Sequence, residues 1–190
     1  MTATGLTEPT IVVDTNVLLN LATPVVDASD RAASGDDPLK TVLSAYDVHV
    51  PDVVLGEVTD ASTGSDPLST AATAVLWASE HLTTHAIDER IGAPLDYGLD
   101  TGESYAIWLA NDLDAAMFVT DEFGRSNYLF VALALDDRNT LFTTPHVLCT
   151  LGRDGVIDSQ YVDAVLTYYE ERKGWDGAFL DQLRERYLRV

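Results

Sequence analysis

Four acidic residues stand where carboxylates can do chemistry. Asp14 closes the apolar run Ile11-Val12-Val13 and is followed by Thr15-Asn16 and a second apolar series, Val17-Leu18-Leu19 and Leu21. That pattern predicts a buried strand that delivers its first charged side chain at its carboxyl end, directly before a helix. Capping that helix is the ordinary work of an Asp at such a junction. Glu57 shares a helical register with Val53, Val54, Val58 and Ala61, and a solvated glutamate should avoid such an apolar stripe. Glu103, in Asp100-Thr101-Gly102-Glu103, reads as one half of a capping box with Asp100. It also stands in register with Ala106, Ile107 and Ala110, which is an inward face. Asp121 ends the strand Phe118-Val119-Thr120 and precedes Glu122; its ordinary role is again a cap, for a helix beginning near Phe123 or Gly124.

Each of these acids has an unremarkable explanation taken alone. Together they would leave several carboxylates clustered without lysine partners, an arrangement that is costly unless a cation offsets it. Carboxylate oxygens with no His or Cys near them in sequence suit a hard ion, Mg²⁺ or Mn²⁺, rather than zinc. His81 and His85 are spaced to share one helix face, but no Cys or third His stands at ligand spacing, and His146 after Pro145 reads as structural. There is no P-loop, no G-x-G-x-x-G and no G-x-S-x-G, which removes nucleotide-dependent and serine-hydrolase chemistry.

The elements that must hold these acids alternate between strand and helix. The predicted order is a strand at 11–13 and a helix from Val17, a loop over 23–37, a helix over 38–45 and a short strand at Val48 and Val50. Helices then follow over 52–61 and from Asp66-Pro67, a proper N-cap and first-turn pair. Leu82 to Ile87 reads as a strand or as the end of that helix. A helix over 100–113, a strand over 116–119, a helix over 127–135 and a strand at 140–142 complete the alternation. Such a chain predicts an α/β fold: a three-layer α/β/α sandwich on a mostly parallel sheet, plus C-terminal helices. Ligands in such sheets bind outside the carboxyl ends of the strands, where Asp14 and Asp121 fall.

Three further helices are expected at about 145–153, 158–173 and 176–188, with Gly155 and Gly174 as breaks. The division expected is an α/β domain over 1–153 and a helical extension over 154–190 packed on it. Stripes at helical spacing, Tyr161, Val162, Val165, Leu166 and Tyr169, then Phe179, Leu180, Leu183 and Tyr187, read as core. One stripe offered outward would instead serve a homodimer or a partner protein.

The 190 residues carry a net charge of −20, with 22 Asp and 9 Glu against 9 Arg and only two Lys, Lys40 and Lys173. Short carboxylates keep a surface hydrated, and near 1 M salt the Debye length of about 3 Å screens their repulsion. The expected host is a salt-adapted organism, a halophilic archaeon. Cys149 is the only cysteine, so no intrachain disulfide forms, and its apolar surroundings predict a buried thiol. No basic leader and no apolar run of membrane length is present, so a soluble cytoplasmic protein without membrane contact is expected.

The series Ile11-Val12-Val13-Asp14-Thr15-Asn16, Val50-Pro51-Asp52-Val53-Val54-Leu55-Gly56-Glu57, Gly102-Glu103-Ser104-Tyr105-Ala106 and Val119-Thr120-Asp121-Glu122 resembles the PIN-domain nucleases. That family includes the VapC-type toxins of toxin–antitoxin pairs. The resemblance spans about residues 10–145 and implies an acidic pocket that binds Mg²⁺ or Mn²⁺ and cleaves RNA endonucleolytically. By position, Asp14, Glu57, Glu103 and Asp121 take the acidic roles. Asp14, Glu103 and Asp121 are the implied metal ligands, with Glu57 able to complete the shell or orient water. The family's last acid often stands one residue further along, which leaves Glu122 as an alternative to Asp121. Thr15, Asn16 and Thr120 match small polar positions beside the acids, and Arg125 is a candidate phosphate contact. RNA is the implied substrate, with an antitoxin protein and a second copy of the chain as implied partners.

Two other readings are kept. A PIN-like protein that binds RNA without cutting it would keep the fold and lose turnover. A Mg²⁺-dependent phosphatase of the haloacid-dehalogenase type also begins with a strand ending in Asp, but it wants a second Asp where this chain has Asn16. With no basic stripe to draw nucleic acid, recognition would lean on shape and stacking, through aromatics such as Tyr97, Tyr105 or Trp108.

Overall fold

The structure is a computed structural model and describes residues 8–27, 36–91, 99–121, 125–136 and 139–188, with side chains 125–128 excluded. Glu122, Tyr97, the start of the helix expected after Asp121 and the Arg125 side chain lie outside the described residues. Five strands, β1 (Thr10–Val13), β2 (Asp47–Pro51), β3 (Thr83–His85), β4 (Met117–Val119) and β5 (Thr140–Phe142), form one sheet in the order β3-β2-β1-β4-β5. Every strand pair is parallel. The helices are α1 (Thr15–Asp27), α2 (Pro38–Ala45), α3 (Asp52–Ala61), α4 (Pro67–Trp77), α5 (Ile87–Ile91), α6 (Thr101–Asp112), α7 (Arg125–Ala134), α8 (Thr144–Arg153), α9 (Ser159–Lys173) and α10 (Gly177–Leu183).

The central strand explains the layering. Ile11, Val12 and Val13 are all shut off from solvent, because a parallel strand in mid-sheet is covered on both faces. Ile11 and Val13 turn with Val48, Val50 and Val119 into a core that also holds Leu18 and Leu21 of α1, Ala71 and Val75 of α4 and Leu148 of α8. Val12 and Phe118 turn the other way, onto Tyr105, Ile107 and Leu109 of α6, Ile87 of α5 and Val131 of α7. This is the expected three-layer α/β/α sandwich. No helix among the described residues is long and apolar enough to cross a membrane.

The C-terminal helices close the first of these cores. Asp158 caps α9 by accepting from the Tyr161 N–H at 2.9 Å, and Asp176 caps α10 by accepting from the Phe179 N–H at 2.8 Å. Gly174 ends α9 at φ +68°, the left-handed conformation that glycine adopts without steric cost. Tyr161, Val162, Val165, Leu166, Tyr169, Leu180 and Leu183 lie in the same cluster as Ile11 and Val13. The stripes that could have served a partner therefore face the chain's own sheet. An uncovered apolar face lies instead on α7, at Leu129, Phe130 and Leu133.

Three boundaries depart from the sequence reading. The segment expected to loop from Thr23 continues α1 to Asp27 with Pro24 inside it. A proline has no N–H for the carbonyl four residues back, and that carbonyl, Asn20 O, accepts from the Tyr169 hydroxyl at 2.9 Å instead. Of the two readings of Leu82 to Ile87 the chain takes the strand, the edge strand β3, preceded by a 3₁₀ turn over Ser79–His81. Helix α7 is already present at Arg125, two residues before the expected Asn127. The last helix stops at Leu183 and widens into a π-helical turn over Arg184–Leu188.

Candidate functional site

Parallel pairing of β1 with β4 sets Val13 opposite Val119, so the residues that leave the two strands, Asp14 and Thr120-Asp121, emerge side by side at the carboxyl edge. Asp14 does cap α1: its Oδ1 accepts from the Val17 N–H at 2.8 Å. Its Oδ2 is buried and has no hydrogen-bond partner among the described residues. Burial pushes the Asp14 carboxyl up to about 8, and the negative charges of Asp121 and Glu103 push the same way; the Thr120 hydroxyl and the Val17 amide pull it down. The capping explanation thus covers half of this carboxylate and leaves the other half unexplained.

Asp121 is buried beside it but accepts three hydrogen bonds. Its Oδ1 accepts from the Thr144 N–H at 2.9 Å, and its Oδ2 accepts from the Thr144 hydroxyl at 2.6 Å and the Asn20 amide at 2.8 Å. Asp121 therefore ties down an otherwise unpaired N–H in the first turn of α8. Burial raises its pKa, while the Thr144 and Asn20 hydrogen bonds and the Lys173 ammonium lower it. Asn20, Thr144 and Lys173 escaped the sequence reading. Asn20 lies 101 residues from Asp121 and Lys173 lies 153 from Asn20, and no local pattern marks such pairs.

Glu103 is buried at the start of α6, with its N–H donated to Asp100 Oδ1 at 2.8 Å. Asp100 thus caps α6 and Glu103 lies on an inward face, as expected. Glu57 departs from its expectation: α3 turns Val54 and Val58 inward and leaves Glu57 exposed, not on the buried stripe. Its neighbours around the helix, Val53 and Ala61, are only partly buried against the two cores, so Glu57 stands at their rim. Its carboxylate still reaches the site, because the Thr15 hydroxyl donates to Oε2 and Oε1 lies 2.8 Å from where a Cβ on residue 102 would stand. Gly102 is thus the cradle that lets Glu57 lie beside Glu103, a role the sequence did not reveal. Thr15 is half-buried and Asn16 is exposed at the mouth of the same junction.

The donors gathered here are all carboxylate oxygens. That chemistry fits Mg²⁺ or Mn²⁺, which are commonly held by one or two protein carboxylates with water and substrate phosphate completing the shell. Among the described residues, no three His, Cys, Asp or Glu side chains converge as a ready-made metal cage. The residue that fits such an ion best is Asp14, whose Oδ2 lacks any other partner. Of the other buried polar atoms without a hydrogen bond among the described residues, Ser104 Oγ and Asn139 Oδ1 belong to uncharged groups and His49 Nε2 lies 2.9 Å from Asp47 Oδ2.

Other expectations resolve as follows. His81 and His85 do not share a helix: His81 sits on the 3₁₀ turn, while His85 Nε2 on β3 meets His49 Nδ1 on β2 at 2.8 Å. Their ring centroids stand 5.1 Å apart, the separation reached when two imidazoles meet head-on through those nitrogens, so this is a shared-proton hydrogen bond. His146 is half-buried against Phe142 and Phe179 and bonded to the Thr143 hydroxyl, a structural role. Tyr105 is buried with its hydroxyl donated to Asp88, which removes it as a stacking platform, and Arg90 lies over Trp108. Cys149 is buried, and burial pushes its thiol up to about 12.

No family model matches the chain, and neither a curated protein nor a solved structure matches it.

Proposed function

We propose that the protein is a metal-dependent endoribonuclease that hydrolyses RNA phosphodiester bonds at the carboxyl edge of its sheet. The observation that carries the reading is the unpartnered Asp14 Oδ2, a buried carboxylate oxygen beside two further negative charges, Asp121 and Glu103. Buried charges are paired or coordinate metal, and the charges that bear most on Asp14, those of Asp121 and Glu103, have its own sign. The order of the four acidic motifs, which resembles that of the PIN nucleases, supports RNA as substrate. Asp14, Glu103 and Asp121 would hold Mg²⁺ or Mn²⁺. When bound, such an ion polarises a phosphoryl oxygen and lowers the pKa of water.

The chain's own residues do the rest. Asp14 presents Oδ2 because its other oxygen is spent on the cap of α1. Asp121 holds a fixed orientation through three hydrogen bonds. Glu57, exposed and anchored by Thr15, is the acid placed to accept a proton from an attacking water at the solvent side. A homodimer or antitoxin contact belongs to the same proposal, supported by the uncovered Leu129, Phe130 and Leu133 on α7.

The test is cleavage of a mixed RNA pool in about 2 M KCl, where surface repulsion is screened, with Mn²⁺, Mg²⁺ or EDTA. Wild type should cut with either ion and not with EDTA, and Asp14→Asn should not cut. Equal cutting by wild type and Asp14→Asn, or cutting in EDTA, sinks the assignment. Tight RNA binding by a folded protein that never cuts would favour the silent RNA-binding reading.

A further inference from the structure

The two lysines of this chain have unequal placements, and one of them reaches the acids from the far end of the sequence. On α1, Pro24 supplies no N–H to Asn20 O, so the carbonyl is left for a partner outside the helix. Tyr169 of α9 fills that place through its hydroxyl at 2.9 Å. One helical turn further along α9, Lys173 Nζ lies 2.6 Å from Asn20 Oδ1 and 3.4 Å from Thr23 Oγ1. Asn20 is therefore gripped by α9 at both its backbone and its side chain.

That grip fixes which way the amide points. An ammonium can only donate, so Asn20 Oδ1 must face Lys173, and the NH₂ group is then turned to Asp121 Oδ2 at 2.8 Å. A carboxylate offers about four lone-pair sites, and three of those on Asp121 are filled by Thr144 and Asn20. The amide thus decides which part of the carboxylate stays available.

We propose that Lys173 is a positioning residue of the acidic site: through the Asn20 amide it fixes the Asp121 carboxylate for a divalent cation, making α9 part of the site and not an appendage. The inference rests on the proposed metal role of Asp14, Glu103 and Asp121. Its partner chemistry is a hard divalent ion, with Mn²⁺ as the probe. Groups that orient metal ligands without touching metal typically alter affinity by about 10–100-fold when removed.

The test is Mn²⁺ binding by calorimetry in molar KCl on the full chain, with the Asn20 side-chain amide followed by NMR in the ion-free protein. Lys173→Met should weaken Mn²⁺ binding by about 10–100-fold and shift the Asn20 NH₂ resonances. Lys173→Arg, which still donates to Oδ1, should recover part of the affinity. Arg172→Met removes the same charge from the exposed neighbouring position and should leave both readouts unchanged. If Lys173→Met does not fold, Lys173→Arg and the ion-free Asn20 spectrum of wild type carry the test: exchange-labile, unshifted amide protons would overturn the proposal. Wild type that binds Mn²⁺ and a folded Lys173→Met that binds it equally well overturns the lysine's role alone. Wild type that takes up no Mn²⁺ overturns the metal reading and this role with it.

Discussion

Asp14 and Asp121 leave neighbouring parallel strands at the same edge of the sheet and are about equally buried, at 4% and 9% exposure, yet their surroundings are opposite. Asp121 is met by an amide N–H, a hydroxyl, a carboxamide and, one residue behind that, an ammonium. Asp14 is met by one amide N–H, by the Thr120 hydroxyl and by two like charges, and its Oδ2 has no hydrogen-bond partner among the described residues. A fold that could give Asp121 three donors had the means to satisfy Asp14 or to replace it with an apolar residue. Sites that break the rule of satisfied buried polar groups are where function is expected. The difference gives Asp121 a share in holding the fold together and leaves Asp14 Oδ2 as the buried acceptor that the proposed metal would meet.

The largest effect should come from Asp14→Asn. For a carboxyl whose folded pKa is raised, from 3.8 to about 8 here, the protonated form favours the folded state. Its contribution is intact at low pH and is lost as pH rises through that window. Each unit corresponds to about 1.4 kcal/mol, so ionised Asp14 opposes folding by a few kcal/mol near pH 8. Cleavage by Asp14→Asn should fall to background while its Tm at pH 8 without divalent ion rises by at least ~5 °C. At pH 4 the two melting curves should converge. A lower Tm for the variant at pH 8 would break the comparison, since it would mean that the Asp14 charge is compensated in the folded protein.

Thr144→Val tests the other member. It removes the hydroxyl donor at 2.6 Å but keeps the shape of the side chain. A hydrogen bond to a charged group contributes about 1.5–3 kcal/mol, so Tm should drop by roughly 4–8 °C. The loss should be greatest where Asp121 is ionised and shrink toward acid pH. Thermal melts at pH 4 and pH 8 measure it, and a loss independent of pH would mean that the hydroxyl serves packing alone.

How much of this contrast was legible in the sequence depends on distance along the chain. Asp14 was marked by its place after Ile11-Val12-Val13, and Glu103 by its spacing from Asp100, because both depend on periodicity within a few residues. Glu57 was found but misplaced: helical register gives the face of α3 but not how deeply that face is covered, and here Val53 and Ala61 beside Glu57 are only partly buried. Asn20, Thr144, Tyr169 and Lys173 were illegible, since their contacts need both the parallel register and the docking of α9 on α1. The stretch from Thr23 lacks periodicity and so reads as loop, yet α1 continues to Asp27, and the missing N–H of Pro24 makes the place that Tyr169 occupies.

Gly102→Ala sharpens the comparison at Glu57 with a smaller effect. The new Cβ would stand 2.8 Å from Oε1 and displace a flexible, exposed carboxylate, which costs little stability and is offset by the better helix propensity of alanine. Tm should stay within ~2 °C while kcat falls about tenfold, within the range that a displacement of about 1 Å can produce. Turnover equal to wild type would remove Glu57 from the catalytic set.

The smallest effect should come from a titrating histidine outside the site, His85. His49 and His85 satisfy each other across β2 and β3, with Asp47, Arg90 and Asp112 bearing on them. Burial first, then the nearby His49 and Arg90, lower the pKa of His85 below 6.5. A base with a lowered folded pKa stabilises the fold above its unfolded pKa, and that contribution is lost as pH falls, the opposite sign to Asp14. His85→Gln keeps a hydrogen-bonding side chain but cannot titrate. Because His85 is only partly buried, the change should be small: between pH 7 and pH 5 the variant should lose about 1–2 °C less in Tm than wild type. Combined with Asp14→Asn, it should add to that variant's effect and leave it otherwise unchanged, since the two titrations belong to separate networks.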